Sequence, residues 1–356
     1  MKKWFIPLIA LALSLLSLAT LSSVSPDLMR RQLFFWLASF SLFWFVSQIP
    51  LRAWLKWGDW AWKGLVIILV GLLIFGRATR GATAWIDLGW GLRFQPSQFA
   101  VLMTTFAVLA RFTQQRMLRE RELIELLVLL GTPALLILFQ PDFGTVFLYT
   151  LAVAPLLIWQ KIPRVYWRWF FIGIVALMAV GWAVVLEPYQ QERITSFMAG
   201  SKADQSNPGY NARQALIAVG AGQLFGRGLG HGTQSQLRFL PERQTDFIFA
   251  SLAEEWGLVG SVAVILLYTL LIGFLLNQAG KTDQISHTLF LLIAAVYFLS
   301  QVFVNIGMNV GLLPITGITL PLVSYGGSSL LATMILLAVA QQLVMHTREH
   351  FGKRIS

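Results

Sequence analysis

Four carboxylates fall within the stretch PERQTDFIFASLAEEWG, residues 241–257: Glu242, Asp246, Glu254 and Glu255. The whole chain of 356 residues holds sixteen Asp and Glu, so a quarter of its acid sits at the start of one apolar run. Thr245 reads as a helix N-cap and Asp246 as a residue of the first turn. On that reading Asp246 complements the helix dipole, an effect of under about 1 kcal/mol. The same placement suits a general base. The helix N-terminus keeps the carboxylate ionised before it takes a proton, and an ionisable group at the edge of a membrane span is a functional candidate. Carboxylates do this work on sugar hydroxyls in glycosyl chemistry. Glu254 and Glu255 lie two turns deeper. One is expected to face the interior and pair with an arginine or lysine, in a structural polar cluster or with a direct role. Glu242 and Arg243 form either a surface pair of little energy or, through the arginine's fork, a contact for a pyrophosphate.

A second acidic position is Asp142 in QPDFGT, residues 140–145. It reads as the cap of a helix after Pro141. Asp142 and Asp246 fall at ends of apolar runs on the same, outer side, so together they are candidates to hold a divalent cation, Mg²⁺ or Mn²⁺, with substrate phosphates. The glycines of GQLFGRGLGHG, residues 222–232, do not follow a strand of a βαβ unit. The phosphate-loop and dinucleotide readings therefore fail, and tight turns remain. Arg213, Arg227 and Arg238 are candidate phosphate contacts. Ser324 opens SYGGSS, residues 324–329, a turn or re-entrant bend whose plainer role is backbone packing. With four histidines, His231 among them in a loop, no histidine metal site is expected. With no cysteine, disulfides, thiolate catalysis and Cys-ligated metals are excluded.

These residues are carried by a chain that is 56% hydrophobic and 12% charged, about half the charged fraction usual in soluble domains. Apolar runs of about 20 residues recur, the length a bilayer core requires. Their unbroken character excludes a barrel, whose strands alternate. The fold class is all-α and polytopic, with ten spans expected at 4–23, 33–49, 62–76, 96–112, 122–139, 143–160, 166–187, 245–277, 285–309 and 324–346. Sixteen lysines and arginines lie in connections on one side, five on the other and six in one long connection. By the positive-inside rule both termini face the cytoplasm. The net charge of +11 then belongs to loops beside anionic lipid, since no basic stripe with interleaved aromatics suggests nucleic acid. The start MKKWFIPLIALALSLLSLATLSS resembles a signal peptide, but the spans that follow favour a retained first helix. Two outer connections, 77–95 and 188–244, are too long to be mere connectors. The second, of 57 residues between spans 7 and 8, has a helix-like stretch at 212–219. One membrane domain, residues 1–356, accounts for the chain.

The motifs then identify a family. GYNARQALIAVGAGQLFGRGLGHGTQSQLRFLPERQTDFIFASLAEEWGLVG, FQPSQFA, QPDFGT and NIGMNVGLLPITGITLPLVSYGGSSLL resemble the signature of the shape, elongation, division and sporulation (SEDS) proteins. GTQSQLRFLPE looks like the rod-shape, RodA-like branch more than the division branch. The resemblance implies a peptidoglycan glycosyltransferase that polymerises lipid II at the outer face of the bacterial cytoplasmic membrane during elongation and shape maintenance. It implies an undecaprenyl pyrophosphate leaving group, and Asp246 as catalytic carboxylate with Asp142 lining the cavity. The implied partners are a class B penicillin-binding protein, which is a transpeptidase, and other membrane proteins of the elongation complex.

The chain departs from the family pattern at Gln98, where Glu is usual, and at Val101, where Lys is usual. Thr83 and Ala84 stand where paired arginines are common, and Gln244 where His is. Losing the Glu–Lys pair together leaves no buried charge unpaired. Either the chain works without those groups or others, such as Glu254 or Arg80, substitute. Two further functions are carried as alternatives. A flippase for a lipid-linked precursor is disfavoured because few charges lie mid-span. A non-catalytic scaffold predicts that Asp246→Ala is harmless.

Overall fold

A computed structural model describes residues 2–76, 83–89, 92–112, 118–160 and 208–352, with single positions at 162, 165, 166, 168, 191 and 195. The long helices in chain order are α1 (Lys2–Val24), α2 (Pro26–Val46), α3 (Leu51–Phe75), α4 (Ala100–Arg111), α5 (Glu120–Leu138) and α6 (Phe143–Ile158). They continue with α7 (Pro208–Ala221), the short α8 (Thr233–Gln236), α9 (Ile248–Ala279), α10 (Ile285–Asn309) and α11 (Gly327–Gly352). Nine of the ten expected spans coincide with helices; the expected span at 166–187 lies almost wholly outside the described residues. Among the described residues, five segments are long and apolar enough to cross a membrane: Lys3–Val24, Leu51–Phe75, Ile248–Ala279, Ile285–Asn309 and Gly327–Met345. The chain is a multi-pass, all-α membrane protein.

Several boundaries differ from expectation for local reasons. α2 begins at Pro26 rather than 33, because proline suits the first helical position and Asp27 complements the first turn. α3 begins at Leu51 rather than 62. Its polar start is an interfacial turn of helix: Trp57 and Trp60 are exposed, Lys63 lies 4.9 Å from the Trp60 ring centre, and Asp59 pairs with Arg111 at 2.9 Å. The span expected at 96–112 resolves into a 3-10 turn, Pro96–Phe99, and the 12-residue α4. At about 1.5 Å per residue α4 falls short of a bilayer core of about 30 Å. Before it lies an antiparallel strand pair not read from the sequence, β1 (Ile86–Asp87) against β2 (Arg93–Phe94), with Ile86 opposite Phe94.

The helices are apolar all round because each has two apolar environments. α1 buries Ile6, Ala10, Leu13 and Leu21 against the bundle, while Trp4, Leu8 and Leu15 point outward. α3 and α4 touch closely because Gly58 has no side chain; a β-carbon there would stand 2.7 Å from the Phe106 carbonyl oxygen. Neutral amides and hydroxyls tie helix to helix, as suits a medium in which charges are costly. Gln140 donates to the Leu69 carbonyl at 3.1 Å, and Gln160 to that of Phe112 at 3.3 Å. The Tyr149 hydroxyl joins Thr104 and the Leu130 carbonyl, locking α4, α5 and α6 together. Both acid-bearing connections therefore emerge from a fixed frame.

Candidate active site

The residues ahead of α9 do not form its first turn. Residues 241–247 are a run of turns, and the helix starts at Ile248 with Phe247 at the N-cap. Thr245 makes no cap; its hydroxyl donates to the Glu242 carbonyl at 3.3 Å and to Glu242 Oε2 at 3.2 Å. Asp246 thus lies two residues outside the helix, which corrects the first-turn reading. The reason is that the cap comes from another helix. Asn309 Oδ1 accepts from the Ala250 N–H at 3.0 Å, one of the donors that a helix start leaves unpaired. Asn309 Nδ2 also donates to the Asp246 carbonyl at 3.1 Å, and Asn305 Nδ2 to the same oxygen at 2.9 Å. Four residues apart on α10, the two amides share one face. They clamp the Asp246 backbone while its side chain stays half-buried. A β-carbon on Gly317, whose φ is +74°, would lie 3.7 Å from Asp246 Oδ2. Ser324 closes the arrangement: its hydroxyl donates to the Thr245 carbonyl at 2.6 Å and accepts from the Leu320 N–H at 2.8 Å.

Asp142 caps α6. Its Oδ1 accepts from the Thr145 N–H at 3.1 Å, and its Oδ2 from the Thr145 hydroxyl and Gln95 Nε2, both at 2.8 Å. Gln98 Nε2 donates in turn to Gln95 Oε1 at 3.1 Å. A chain of neutral amides therefore leads to Asp142 from the position where the family pattern has Glu, and Val101 is buried in the apolar core. Burial pushes the Asp142 carboxyl up, while the hydrogen bonds from Thr145 and Gln95 oppose the shift. Next to it, a β-carbon on Gly144 would stand 2.6 Å from the Thr316 carbonyl oxygen. Gly144, two residues on from Asp142, and Asp246 thus both meet one short segment, residues 316 and 317. No group of three or more His, Cys, Asp or Glu that could hold a metal occurs among the described residues. Two carboxylates completed by substrate phosphate oxygens remain a donor set that fits Mg²⁺.

Glu254 and Glu255 are buried, and their hydrogen-bond donors are groups of the long connection and of α1, not the expected arginine or lysine. Glu254 Oε1 accepts from the Gln234 N–H at 2.8 Å, and Oε2 from the Ser235 N–H and hydroxyl at 3.0 and 2.8 Å. It caps α8 from outside, across Gly232, where a β-carbon would come within 2.6 Å of Glu254 Oε2. Glu255 Oε1 accepts from the Ser23 hydroxyl at the end of α1, from the Gly230 N–H and from Gln236 Nε2. Between these carboxylates and the rest of α9 the helix is broken at Gly257 (φ 68°, ψ −162°). The glycine-rich loop supplies the missing bonds. Arg227 and Gly228 N–H groups donate to the Glu254 and Glu255 carbonyls at 2.9 and 3.0 Å, and the Leu258 and Val259 N–H groups donate to those of Gln223 and Leu224 at 2.8 and 3.1 Å. A β-carbon on Gly226 would stand 2.1 Å from the Glu255 carbonyl oxygen. The glycines serve this backbone-to-backbone contact.

The arginines divide. Arg243 donates from Nε and Nη2 to the Val24 carbonyl at 3.3 and 3.2 Å, closing the end of α1. Burial, and then the charge of Arg238, push its guanidinium down. Arg238 is exposed with φ 62°. Arg227 binds the Ala221 carbonyl at the end of α7, and Arg213 is exposed on α7. Arg80 lies outside the described residues. The structure gathers Asp246, Asp142 and Ser324 around residues 316–325; it gives Glu254 and Arg227 to loop docking. Sequence reading missed Asn305, Asn309 and Gln95. Their signal was an amide in an apolar run, doubled at a spacing of four in NIGMN.

The chain matches the family model described as cell cycle protein, for FtsW, RodA and SpoVE, over residues 3–349. It belongs to the FtsW/RodA/SpoVE family. Among curated relatives it is 38% identical over 314 residues to peptidoglycan glycosyltransferase MrdB of Escherichia coli (strain K12), across 85% of this chain and 82% of that protein. It is 33% identical over 355 residues to the probable peptidoglycan glycosyltransferase FtsW of Coxiella burnetii, across 95% and 94%. It resembles a chain of a solved peptidoglycan synthase complex described for coordination of polymerization and crosslinking, with a TM-score of 0.81, 29% identity and coverage of 97% and 98%. It also resembles the crystal structure of the rod shape determining protein RodA of Thermus thermophilus, with a TM-score of 0.72, 28% identity and 96% coverage of each. The FtsW/RodA/SpoVE match runs from α1 into α11, so it takes in both acid-bearing connections.

Proposed function

We propose that this chain is a RodA-like peptidoglycan glycosyltransferase that polymerises lipid II during cell elongation and shape maintenance. The observation that carries the reading is Asp246: a half-buried carboxylate whose backbone carbonyl is clamped by two amides of α10. A base acts well only when it is held in place. Asp246 takes the proton of the acceptor's N-acetylglucosamine 4-hydroxyl as that oxygen attacks the donor's anomeric carbon with inversion. The bond to undecaprenyl pyrophosphate breaks, and that group leaves with the electron pair. Arg238 and Arg243 supply positive charge for the pyrophosphate, with Arg213 further along the connection, and Glu242 orients Thr245 beside Asp246. Asp142 and Asp246 would hold a divalent cation, which supplies charge stabilisation at the leaving group when bound. The names of the curated relatives support the same activity.

The wider arrangement belongs to this proposal. The chain is one domain of ten spans, the seventh at 166–187, with an extracytoplasmic connection at 188–244 and both termini in the cytoplasm. It sits in the cytoplasmic membrane and works with a class B penicillin-binding protein and other membrane proteins of the elongation complex. The likeness to a chain of a complex that couples polymerization to crosslinking supports the partner.

The test is polymerisation in vitro by the purified protein, with and without the transpeptidase, on lipid II. Glycan strands are expected from wild type, and Asp246→Ala is expected to lose about 10²–10⁴-fold of the rate, the range of a general base. Translocation of lipid II in liposomes without any strands would replace this reading with the flippase. Full activity of Asp246→Ala would remove Asp246 from the chemistry.

A further inference from the structure

On the same loop face as the acids lies a cavity of about 570 Å³, lined by Tyr210, Gln214 and Ile217 of α7, Gln234 of α8 and Phe239. Its volume falls in the range of about 300–1,000 Å³ usual for small-molecule sites. Tyr210, Gln214 and Ile217 are spaced to share one helix face. Another face of α7 is anchored, since Ala215 and Ala218 pack with Leu240, Phe247 and Ala250. Gln234 is anchored too: its N–H is held by Glu254 at 2.8 Å and its carbonyl accepts from the Leu240 N–H at 3.2 Å. Yet its side-chain Oε1 is buried without a partner. A buried amide oxygen left so is unfavourable, and a ligand donor would relieve it. Among the described residues the lining holds two aromatic rings, two amides and one aliphatic side chain, with no ionised group. Pyrophosphate or a charged peptide would find no counter-ion among these side chains. Pyranose rings fit: their C–H faces suit aromatic rings, and their hydroxyl and acetamido groups suit the amides.

We propose that this cavity is a binding subsite for neutral N-acetylated sugar rings, and that it holds the formed part of the glycan strand. It adjoins the reacting end, because Leu240 and Phe247, on either side of Asp246 in sequence, belong to the cluster that anchors α7. The sugar chemistry stands on the lining; the strand as its source rests on the polymerase reading.

The experiment uses the full-length protein in detergent and a neutral N-acetylglucosamine tetramer as probe, with titration followed by a second measurement of strand length on lipid II. Wild type is expected to bind the tetramer. Phe239→Ala and Gln234→Ala are expected to weaken it about tenfold, and Phe239→Ala to shorten the strands. Ile217→Trp fills the cavity from an exposed position and controls for misfolding; it is expected to block binding. Asp246→Ala is expected to lose most of its polymerisation rate but to bind the tetramer like wild type. No binding by wild type, or binding unmoved by both Phe239→Ala and Ile217→Trp, overturns the proposal. Binding lost with strand length unchanged overturns the assignment to the strand. Wild type that binds the tetramer but makes no polymer leaves the subsite standing and fails the polymerase reading instead.

Discussion

Asp142 is tuned by a neutral neighbour, and the sign of that tuning can be worked out. Burial raises its pKa; the Gln95 bond at 2.8 Å favours the charged form and opposes the rise. A group raised in the folded state contributes stability that is full below its unfolded pKa and is lost as pH rises through the folded value. For activity that needs the ionised carboxylate the limb runs the other way, falling as pH falls through the raised value. Gln95→Ala removes a donor to the charged form, so the acid limb of the pH–rate profile on lipid II should move to higher pH. Gln98→Ala acts through Gln95 and should move it the same way by less. An acid limb that stays in place in both variants would take Asp142 out of the titration. Much at this scale was legible: Asp142 and Asp246 stand out as acids at the edges of apolar runs. The docking of Glu254 was not, because two of its donors are backbone N–H groups, those of Gln234 and Ser235, and every residue letter but proline conceals such a donor.

α9 and α10 show how an element can depend on another for its own regularity. Asn309 accepts from the Ala250 N–H and donates to the Asp246 and Asn305 carbonyls. Asn309→Asp keeps the acceptor and loses the donor; Asn309→Ala loses both. Thermal unfolding should then show a loss of about 1 kcal/mol for the alanine, the usual scale of a lost cap, and a larger one for the aspartate, whose buried carboxylate would face the Asp246 and Asn305 carbonyl oxygens. Polymerisation should fall in both if holding Asp246 matters. Activity kept by Asn309→Asp alone would mean the cap, not the clamp, is what counts. At Gly257 the expected loss is larger. A β-carbon there would stand 2.3 Å from the Gly226 N–H nitrogen, in a backbone conformation with φ 68°. Gly257→Ala should cost at least about 3 kcal/mol and open residues 222–236 to proteolysis; unchanged protection would show that the loop docks without the break. The sequence made α10 legible to both ends, since an unbroken apolar run has few alternatives. It concealed the polar starts of α2 and α3, whose helices continue into the interface. It also concealed the break in α9, because a glycine in a helical pattern does not announce the loop that repairs it.

At the scale of the whole chain, function depends on which side of the bilayer each connection faces. Polymerisation of a lipid-linked precursor at the outer face requires that Asp246, Asp142 and the glycine-rich loop share that face, with the α9–α10 turn on the other. The charge pattern supports this: five basic residues lie in the short connections assigned to the outside, against sixteen in the termini and connections assigned to the cytoplasm. The chain has no cysteine, so one introduced cysteine is a unique label. Leu88 and Leu229 are exposed in connections assigned to the outside, and Gly280 is exposed at the turn assigned to the inside. None of the three is in the proposed site. Leu88→Cys and Leu229→Cys should react with a membrane-impermeant maleimide on intact spheroplasts, and Gly280→Cys only after permeabilisation. Labelling of Leu229→Cys that needs permeabilisation would turn the acid-bearing loop to the cytoplasm, where the outer-face polymerase has no place. Leu229→Cys reactive outside together with Leu88→Cys reactive only inside would break the span count between them, because an odd number of crossings would then separate two connections that an even number must join.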